Sequence, residues 1–178
     1  MTATRLRFAL PLLAGLAVAC ATFRPSGPAT PVRLEIIDEV RVDLDAPAIV
    51  ERAVRQRLMA RPELELVADP AAPQLRVHLH DVRNAQLPGA DPRLRAPRYR
   101  VAVELWAEVE PRASAGEAEP EVLTARAVGE AIYVARAGEI GRLDGAYRTF
   151  LSRAAEEAAD RVVDILAARL SRFTSGER

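Results

Sequence analysis

The sequence is poor in the residue types on which most catalytic and metal centres depend. It has one cysteine and two histidines among 178 residues, and aromatic residues make up 4% of the chain. A single cysteine excludes an intramolecular disulfide, so packing alone must stabilise the fold. The G-x-S-x-G elbow and the phosphate-binding glycine loop are both missing from the sequence. These absences predict a protein that is not an enzyme and that holds no cofactor.

Neither positive nor negative charge is in excess. The 25 basic and 25 acidic residues give a formal net charge of zero. Nucleic-acid-binding proteins usually carry a strong basic excess, so no nucleic-acid partner is expected. Lysine is absent, and every basic residue is arginine. GC-rich codon usage explains this bias, but so does a need for guanidinium groups, which bind phosphate and carboxylate through a planar fork of donors.

No apolar run is long enough to span a bilayer, which takes about 20 residues. The run from Phe8 to Ala19 is shorter, follows Arg5 and Arg7, and ends on small residues. A basic start, a short apolar core and small residues before a cleavage point are typical of a signal peptide. We therefore predict a signal peptide over residues 1–19.

The only cysteine lies directly after this run. The string LAVAC, which ends at Cys20, is similar to the bacterial lipobox, in which the signal is cut before a diacylated cysteine. The similarity implies lipidation of Cys20 with diacylglycerol and a further chain such as palmitate. Two or three acyl chains hold a protein stably on a membrane, whereas one chain binds reversibly. The alternative is an ordinary signal peptide, cut near Ala19, that is followed by a cysteine by chance.

The remainder of the chain predicts one domain. Residues 20–31 are rich in proline, serine and threonine and predict a flexible, lipidated tether. About 158 residues remain after the signal, which is enough for a single core. We place the domain at residues 32–173 and a short tail at 174–178.

Alternation of apolar and polar residues predicts four strands. They cover residues 32–43, 75–80, 99–109 and 122–135, and the alternation slips near Gly129, which favours a bulge or bend there. Proline and glycine predict a loop over residues 84–97 and a turn over residues 138–145.

Apolar spacings of three and four residues predict two helices. The first follows a capping carboxylate at Asp45 and ends near Ala60, and the second runs from Tyr147 to Phe173. The order β-α-β-β-β-α predicts an α+β fold, in which a mixed sheet of about four strands carries both helices on one face.

His78 and His80 are two residues apart on a predicted strand, so their side chains share a face. Two histidines and the adjacent Asp81 are ligands that zinc accepts. In a regular strand, however, Asp81 points to the opposite face, and no third ligand is evident. We therefore predict a solvated strand face and no metal site.

Two other features are candidates for contact with a ligand or partner. Trp106 lies on the polar face of the third predicted strand, where it either packs under a loop or marks a contact surface. The segment DPRLRAPRYR contains four arginines within eight residues, and guanidinium groups form charge-assisted bonds to phosphate. The alternative is a solvated loop. The candidates for contact with an anionic lipid or a partner are Arg93, Arg95, Arg98, Arg100 and Trp106.

Three patterned strings carry a resemblance to a known family. They are ELELVADPAAPQLRVHLHDV, YRVAVELWAEV and AYRTFLSRAAEEAADRVVDIL. With the lipobox and the order of elements, they resemble the LptE family of lipopolysaccharide-assembly lipoproteins over residues 32–172. The resemblance implies a non-enzymatic lipoprotein that faces the periplasm and is the partner of an outer-membrane β-barrel protein. It also implies contact with lipopolysaccharide, for which the segment from Arg93 to Arg100 is the candidate.

Two further expectations concern location and partner. Ala21 follows the cysteine, and the lack of an aspartate at this position favours the outer membrane. The alternative function is that of an envelope lipoprotein that binds or activates a periplasmic cell-wall enzyme or a lipid-transport complex.

Overall fold

The computed structural model describes residues 29–40, 44–89, 96–110, 122–135 and 140–174, with the side chains of the last segment described from residue 145 to 172. Cys20, Arg93 and Arg95, with the predicted signal and most of the predicted tether, lie outside the described residues. No helix in the described part is long and apolar enough to cross a membrane. The elements are β1 (Thr30–Asp38), α1 (Ala46–Met59), β2 (Leu64–Leu66), β3 (Gln74–Gln86), β4 (Arg98–Val109), β5 (Leu123–Val134) and α2 (Ile140–Thr174).

The strands of the described residues form one mixed sheet in the order β2-β1-β3-β4-β5. β1 lies parallel to β2 and β3, whereas the β3–β4 and β4–β5 pairs are antiparallel. The predicted α+β class is confirmed, and both helices cover one face. The sheet has one strand more than the predicted four, because the short β2 pairs with the start of β1.

Four predicted boundaries are wrong. β1 ends at Asp38, short of the predicted residue 43, and the N–H of Val40 bonds to the carboxylate of Asp38 instead of to a neighbouring strand. β1 begins at Thr30, inside the predicted tether, because Thr30 and Pro31 pair with β2. β3 continues into the predicted loop as far as Gln86, which pairs with Tyr99. α2 begins at Ile140, inside the predicted turn. Gly145 therefore lies within a helix, where glycine costs about 1 kcal/mol relative to alanine.

The core lies between the sheet and the helices. Apolar residues of β3, β4 and β5 meet the apolar stripe of α2, and four of its alanines are fully buried. Small side chains let a helix approach a sheet closely. The four alanines are Ala154, Ala155, Ala158 and Ala159.

Gly129 makes this approach possible, and the bulge predicted there is wrong. The pairing of β4 with β5 runs through Gly129 without interruption. A Cβ atom on Gly129 would overlap the main-chain oxygen of Ala154 and lie 2.5 Å from the main-chain nitrogen of Ala158. The alternation of apolar and polar residues is interrupted at Gly129 because the helix backbone occupies the space that a larger side chain would need.

Ion pairs join α1 to α2. Arg57 lies 3.0 Å from Asp164 and 3.1 Å from Asp160, and Arg61 also pairs with Asp164. At the other end of α1, Asp45 makes no side-chain cap hydrogen bond, contrary to prediction. Its carboxylate lies 2.8 Å from the guanidinium of Arg148 instead. The helices are therefore linked near both ends of α1.

Candidate functional site

The candidate site lies on the outer face of the sheet, which we define as the face opposite α1 and α2. On this face β3, β4 and β5 present alternate side chains, while most of the intervening residues belong to the core. The outer side chains of β3 and β4 are mostly polar, whereas β5 also exposes Val128, Ile132 and Val134. His78, Trp106 and Arg126 form one row across the three strands, because the register pairs His78 with Trp106 and Trp106 with Arg126.

Two histidines share one carboxylate at the β3 end of this row. The Nδ1 atom of His78 lies 2.8 Å from one oxygen of Glu39, and the Nδ1 atom of His80 lies 3.0 Å from the other. The hydrogen bond from His80, followed by that from His78, holds the pKa of Glu39 below its usual value of 4.5. Glu39 therefore stays ionised between the two rings and fixes their orientation.

A bulge in β3 changes the expected position of Asp81. The register with β4 shifts between Leu79 and Asp81, so that Asp81 pairs with Glu104. Asp81 consequently lines the outer face, where it forms an ion pair with Arg83. The described residues contain no group of three or more histidine, cysteine, aspartate or glutamate side chains placed to hold a metal ion.

Trp106 lies on the polar face, as the alternation predicts. Its side chain is 38% exposed, and its ring centroid lies 5.0 Å from that of His78. On its other side Arg126 forms an ion pair with Glu104, which is buried. The indole is thus supported by neighbours on both strands and keeps one surface open to solvent.

The predicted contact residues do not all come together. Arg98 is exposed and pairs in register with Val134, and Arg100 lies 3.5 Å from Glu130. Trp106 is on the same face of β4 as Arg100, but six residues of strand separate the two by about 20 Å. The structure therefore gives two separate regions, one at Arg98 and Arg100 and one at Trp106.

A cavity of about 460 Å³ opens beside Trp106 at the outer edge of β5. This volume is within the range of small-ligand sites. Sequence analysis missed the contribution of α2 to this cavity, because the helix reaches it only through the fold. Its signal in the sequence is the four-residue spacing of Arg161, Ile165 and Arg169. The lining residues are His80, Trp106, Thr124, Ala125, Arg126, Ile165 and Arg169.

Comparisons with known proteins give the fold. No protein-family model matches the chain, and no curated protein matches it in sequence. Rare lipoprotein B from Shewanella oneidensis is similar in structure, with a TM-score of 0.52 and 15% identity over 80% of this chain and 98% of that protein. A Caulobacter crescentus protein named as a lipoprotein has a TM-score of 0.50 and 17% identity over 78% and 90%. At such identities the likeness shows a shared fold.

Proposed function

We propose that the chain is a lipoprotein of the bacterial envelope, acylated at Cys20. The observation that carries this proposal is the agreement of two independent features. The sequence places its only cysteine in a lipobox-like string after an apolar run. The domain that follows has the fold of two proteins that are themselves named as lipoproteins.

The finer proposal is a non-enzymatic role at the outer membrane, in lipopolysaccharide assembly beside a β-barrel protein. The patterned strings that resemble the LptE family support it. So does the outer face, on which exposed polar groups and Trp106 are available for contact. A protein that works by contact needs such a surface but needs no catalytic group.

Co-purification tests the partner. The full-length chain, extracted from its native membrane in detergent, is expected to bring down a large outer-membrane β-barrel protein in stoichiometric amount. Recovery of a periplasmic cell-wall enzyme or of a lipid-transport complex, without a barrel, would refute the lipopolysaccharide-assembly role and leave the lipoprotein proposal intact.

A charge-reversal pair tests the lipid contact. Arg98→Glu with Arg100→Glu reverses two guanidinium groups near one end of β4, and we expect weaker retention on immobilised lipopolysaccharide because charge-assisted bonds to phosphate are lost. Arg52→Glu with Arg55→Glu makes the same change in net charge on α1, where both side chains are exposed. Equal retention of the two double variants would contradict the assignment of Arg98 and Arg100.

A further inference from the structure

Contact through β5 must use its outer face, because side chains of α2 occupy its free edge. Arg161 and Arg169 each donate a hydrogen bond to a main-chain oxygen of this strand. The main-chain N–H of Glu130 donates to the carboxylate of Glu157 at 2.8 Å. The helix thus satisfies main-chain groups that an edge strand usually offers to another strand.

The outer face of β5 is apolar at three positions that are open to solvent. Val128, Ile132 and Val134 are 36%, 48% and 38% exposed. They share one row of the strand, because alternate side chains point to the same face. None of the three belongs to the buried core. Packing inside the domain therefore does not explain why these side chains are apolar.

Two of these apolar residues lie directly opposite arginines of β4. The register pairs Val134 with Arg98 and Ile132 with Arg100. Apolar and basic side chains are therefore neighbours on the same face. We call this surface the β5 strip, and its members are Arg98, Arg100, Val128, Ile132 and Val134.

The charge around the β5 strip is slightly positive. The carboxylates of β3, β4 and β5 that border the strip are each paired with an arginine. The pairs are Asp81 with Arg83, Glu104 with Arg126, and Glu130 with Arg100. Arg98 forms no ion pair with any residue that the structure describes. One guanidinium charge at the strip therefore has no compensating carboxylate.

The other half of the outer face has the opposite charge. Three carboxylates there share the single guanidinium of Arg76, and Glu39 adds a fourth beside the two histidines. The three are those of Glu35, Glu108 and Glu110. An anionic surface would attract the β5 strip and repel this half.

The proposed lipid on Cys20 would keep the strip close to a membrane. Thr30, the first residue of β1, is ten residues after Cys20. Ten residues reach at most about 35 Å. β5 lies three strands from β1, which is about 15 Å across the sheet. The outer face can therefore lie flat on the membrane while the lipid stays inserted, and the strip meets lipid at a high effective concentration.

We propose that the β5 strip rests on an anionic phospholipid surface. Its three apolar side chains lie at the boundary of headgroups and acyl chains, and Arg98 and Arg100 bind lipid phosphates. Binding to a membrane surface grows with the apolar area buried and with attraction to anionic lipids, and the strip supplies both. The contact is too small to hold the domain alone and orients a domain that the lipid already holds. The docking depends on the proposed lipid at Cys20 and is independent of the lipopolysaccharide role.

The position of Trp106 favours a lipid surface over a protein partner. Trp106 pairs with Arg126, two residues before Val128, so the indole borders the strip. Tryptophan is enriched where a protein meets the interface of a bilayer. Lipid phosphates also move to meet each guanidinium, so the strip needs no partner of complementary shape.

Emission of Trp106, the chain's only tryptophan, tests the docking. The full-length chain, extracted from its native membrane with its lipid, is reconstituted in vesicles of equal parts phosphatidylcholine and phosphatidylglycerol. We expect bromine on the acyl chains to quench the emission, because the indole lies against lipid. In vesicles of phosphatidylcholine alone the ratio of docked to undocked domain should fall about fivefold for each arginine that loses an anionic partner.

A double variant locates the apolar contact. Ile132→Thr with Val134→Thr keeps side chains that favour a strand and should lower the ratio of docked to undocked domain about tenfold. Leu44→Thr with Met59→Thr is the matched control. These two side chains are 95% and 72% exposed at the two ends of α1, away from the outer face. The control should be quenched like the wild type.

A single variant locates the basic contact. Arg98→Gln should lower the ratio of docked to undocked domain about fivefold in the anionic vesicles. Arg52→Gln removes the same charge from an exposed position of α1 and should have no effect. Equal quenching of these two variants would contradict the role of Arg98.

Three other results would overturn the docking. Unchanged emission from a chain that has entered brominated anionic vesicles would place the outer face away from the membrane and leave the lipid anchor intact. Equal quenching of the two threonine double variants would place the contact elsewhere on the domain. A chain that does not enter the vesicles at all would refute the lipid on Cys20 itself. If quenching is absent and Ile132→Thr with Val134→Thr no longer co-purifies with a β-barrel protein, the strip belongs to that protein instead.

Discussion

At the scale of single residues, Gly129 determines how closely α2 packs on the sheet. The main-chain atoms of Ala154 and Ala158 occupy the place where a side chain would begin. The main chain at Gly129 cannot move alone, because it is paired with β4, and the main chain at Ala154 and Ala158 cannot move alone, because it is part of the hydrogen-bonded helix α2. The hydrogen atom of glycine is the only side chain that fits at this position.

Gly129→Ala should therefore destabilise the protein by about 1–3 kcal/mol, the usual cost of forcing a methyl group into a packed core. Urea unfolding followed by circular dichroism would measure the change. Gly145→Ala is the matched control, since a Cβ there meets nothing within 4 Å and alanine favours the helix. It should raise the midpoint slightly, and a loss of stability as large as that of Gly129→Ala would contradict the packing argument.

Part of the site could be predicted residue by residue, and part could not. The position of Trp106 on the polar face follows from the alternation of β4, and so does the shared face of His78 and His80. Glu39 could not be predicted as their partner, since it lies about 40 residues away and meets them only through the parallel pairing of β1 and β3. Local periodicity specifies faces, but the contacts between distant strands depend on topology.

At the scale of elements, the long amphipathic segments were predictable and the short or irregular ones were not. β4 and β5 alternate over many residues and were located to within about two residues of their bounds. β2 has three residues and no period of its own, and it forms only because β1 is beside it. The early start of α2 lies in a glycine-containing segment whose local preference is for a turn, so tertiary context decides its structure.

The pairing of α1 with α2 depends on the ionisation of Asp164. Burial raises the pKa of this carboxyl, but hydrogen bonds from Arg61 and Arg57 outweigh it and hold the pKa below its usual value of 3.8. A carboxyl whose pKa is lower in the folded state adds stability above its unfolded-state pKa. That stability is lost as the pH falls through the folded-state pKa.

Asp164→Asn should lower the urea midpoint at about pH 6, and its effect should shrink as the pH falls below 3.8 and through the folded-state pKa, because the wild-type carboxyl then takes up a proton. The effect should stay below about 1 kcal/mol, because the pair is partly exposed and screened by solvent. Glu156→Gln removes a negative charge from an exposed position of the same helix. If that control shows the same pH dependence, general charge effects and not the Arg61 and Arg57 bonds are responsible.

The edge of β5 gives the second prediction at this scale. Removing both capping arginines, by Arg161→Ala with Arg169→Ala, exposes the main-chain oxygens of Val128 and Thr124. We expect more self-association, because unprotected edge strands pair with other chains. Light scattering and sedimentation at equal concentration would measure it. Arg153→Ala with Arg172→Ala changes the net charge equally without uncovering the edge, and equal association of the two variants would refute the capping role.

At the scale of the whole molecule, the two faces of the sheet differ in exposure: one is buried and the other is open to solvent. The inner face and the helices form the core, whereas the outer face presents charged groups, an indole and the apolar side chains of Val128, Ile132 and Val134 to the surroundings. The fold alone accommodates many partners, so function must be argued from the exposed groups and from where the chain is held. An N-terminal lipid would restrict the domain to the membrane surface and raise its effective concentration near membrane-bound partners.

Cys20→Ser tests that restriction, because serine lacks the thiol to which diacylglycerol is attached. Two or three acyl chains anchor a protein stably, and their loss leaves no other predicted attachment. The variant should move from the membrane pellet to the soluble fraction and should no longer incorporate a labelled palmitate analogue. Ala21→Ser changes the neighbouring residue and should stay in the pellet. A Cys20→Ser protein that still sediments with membranes would show that attachment depends on contacts of the domain and not on the lipid.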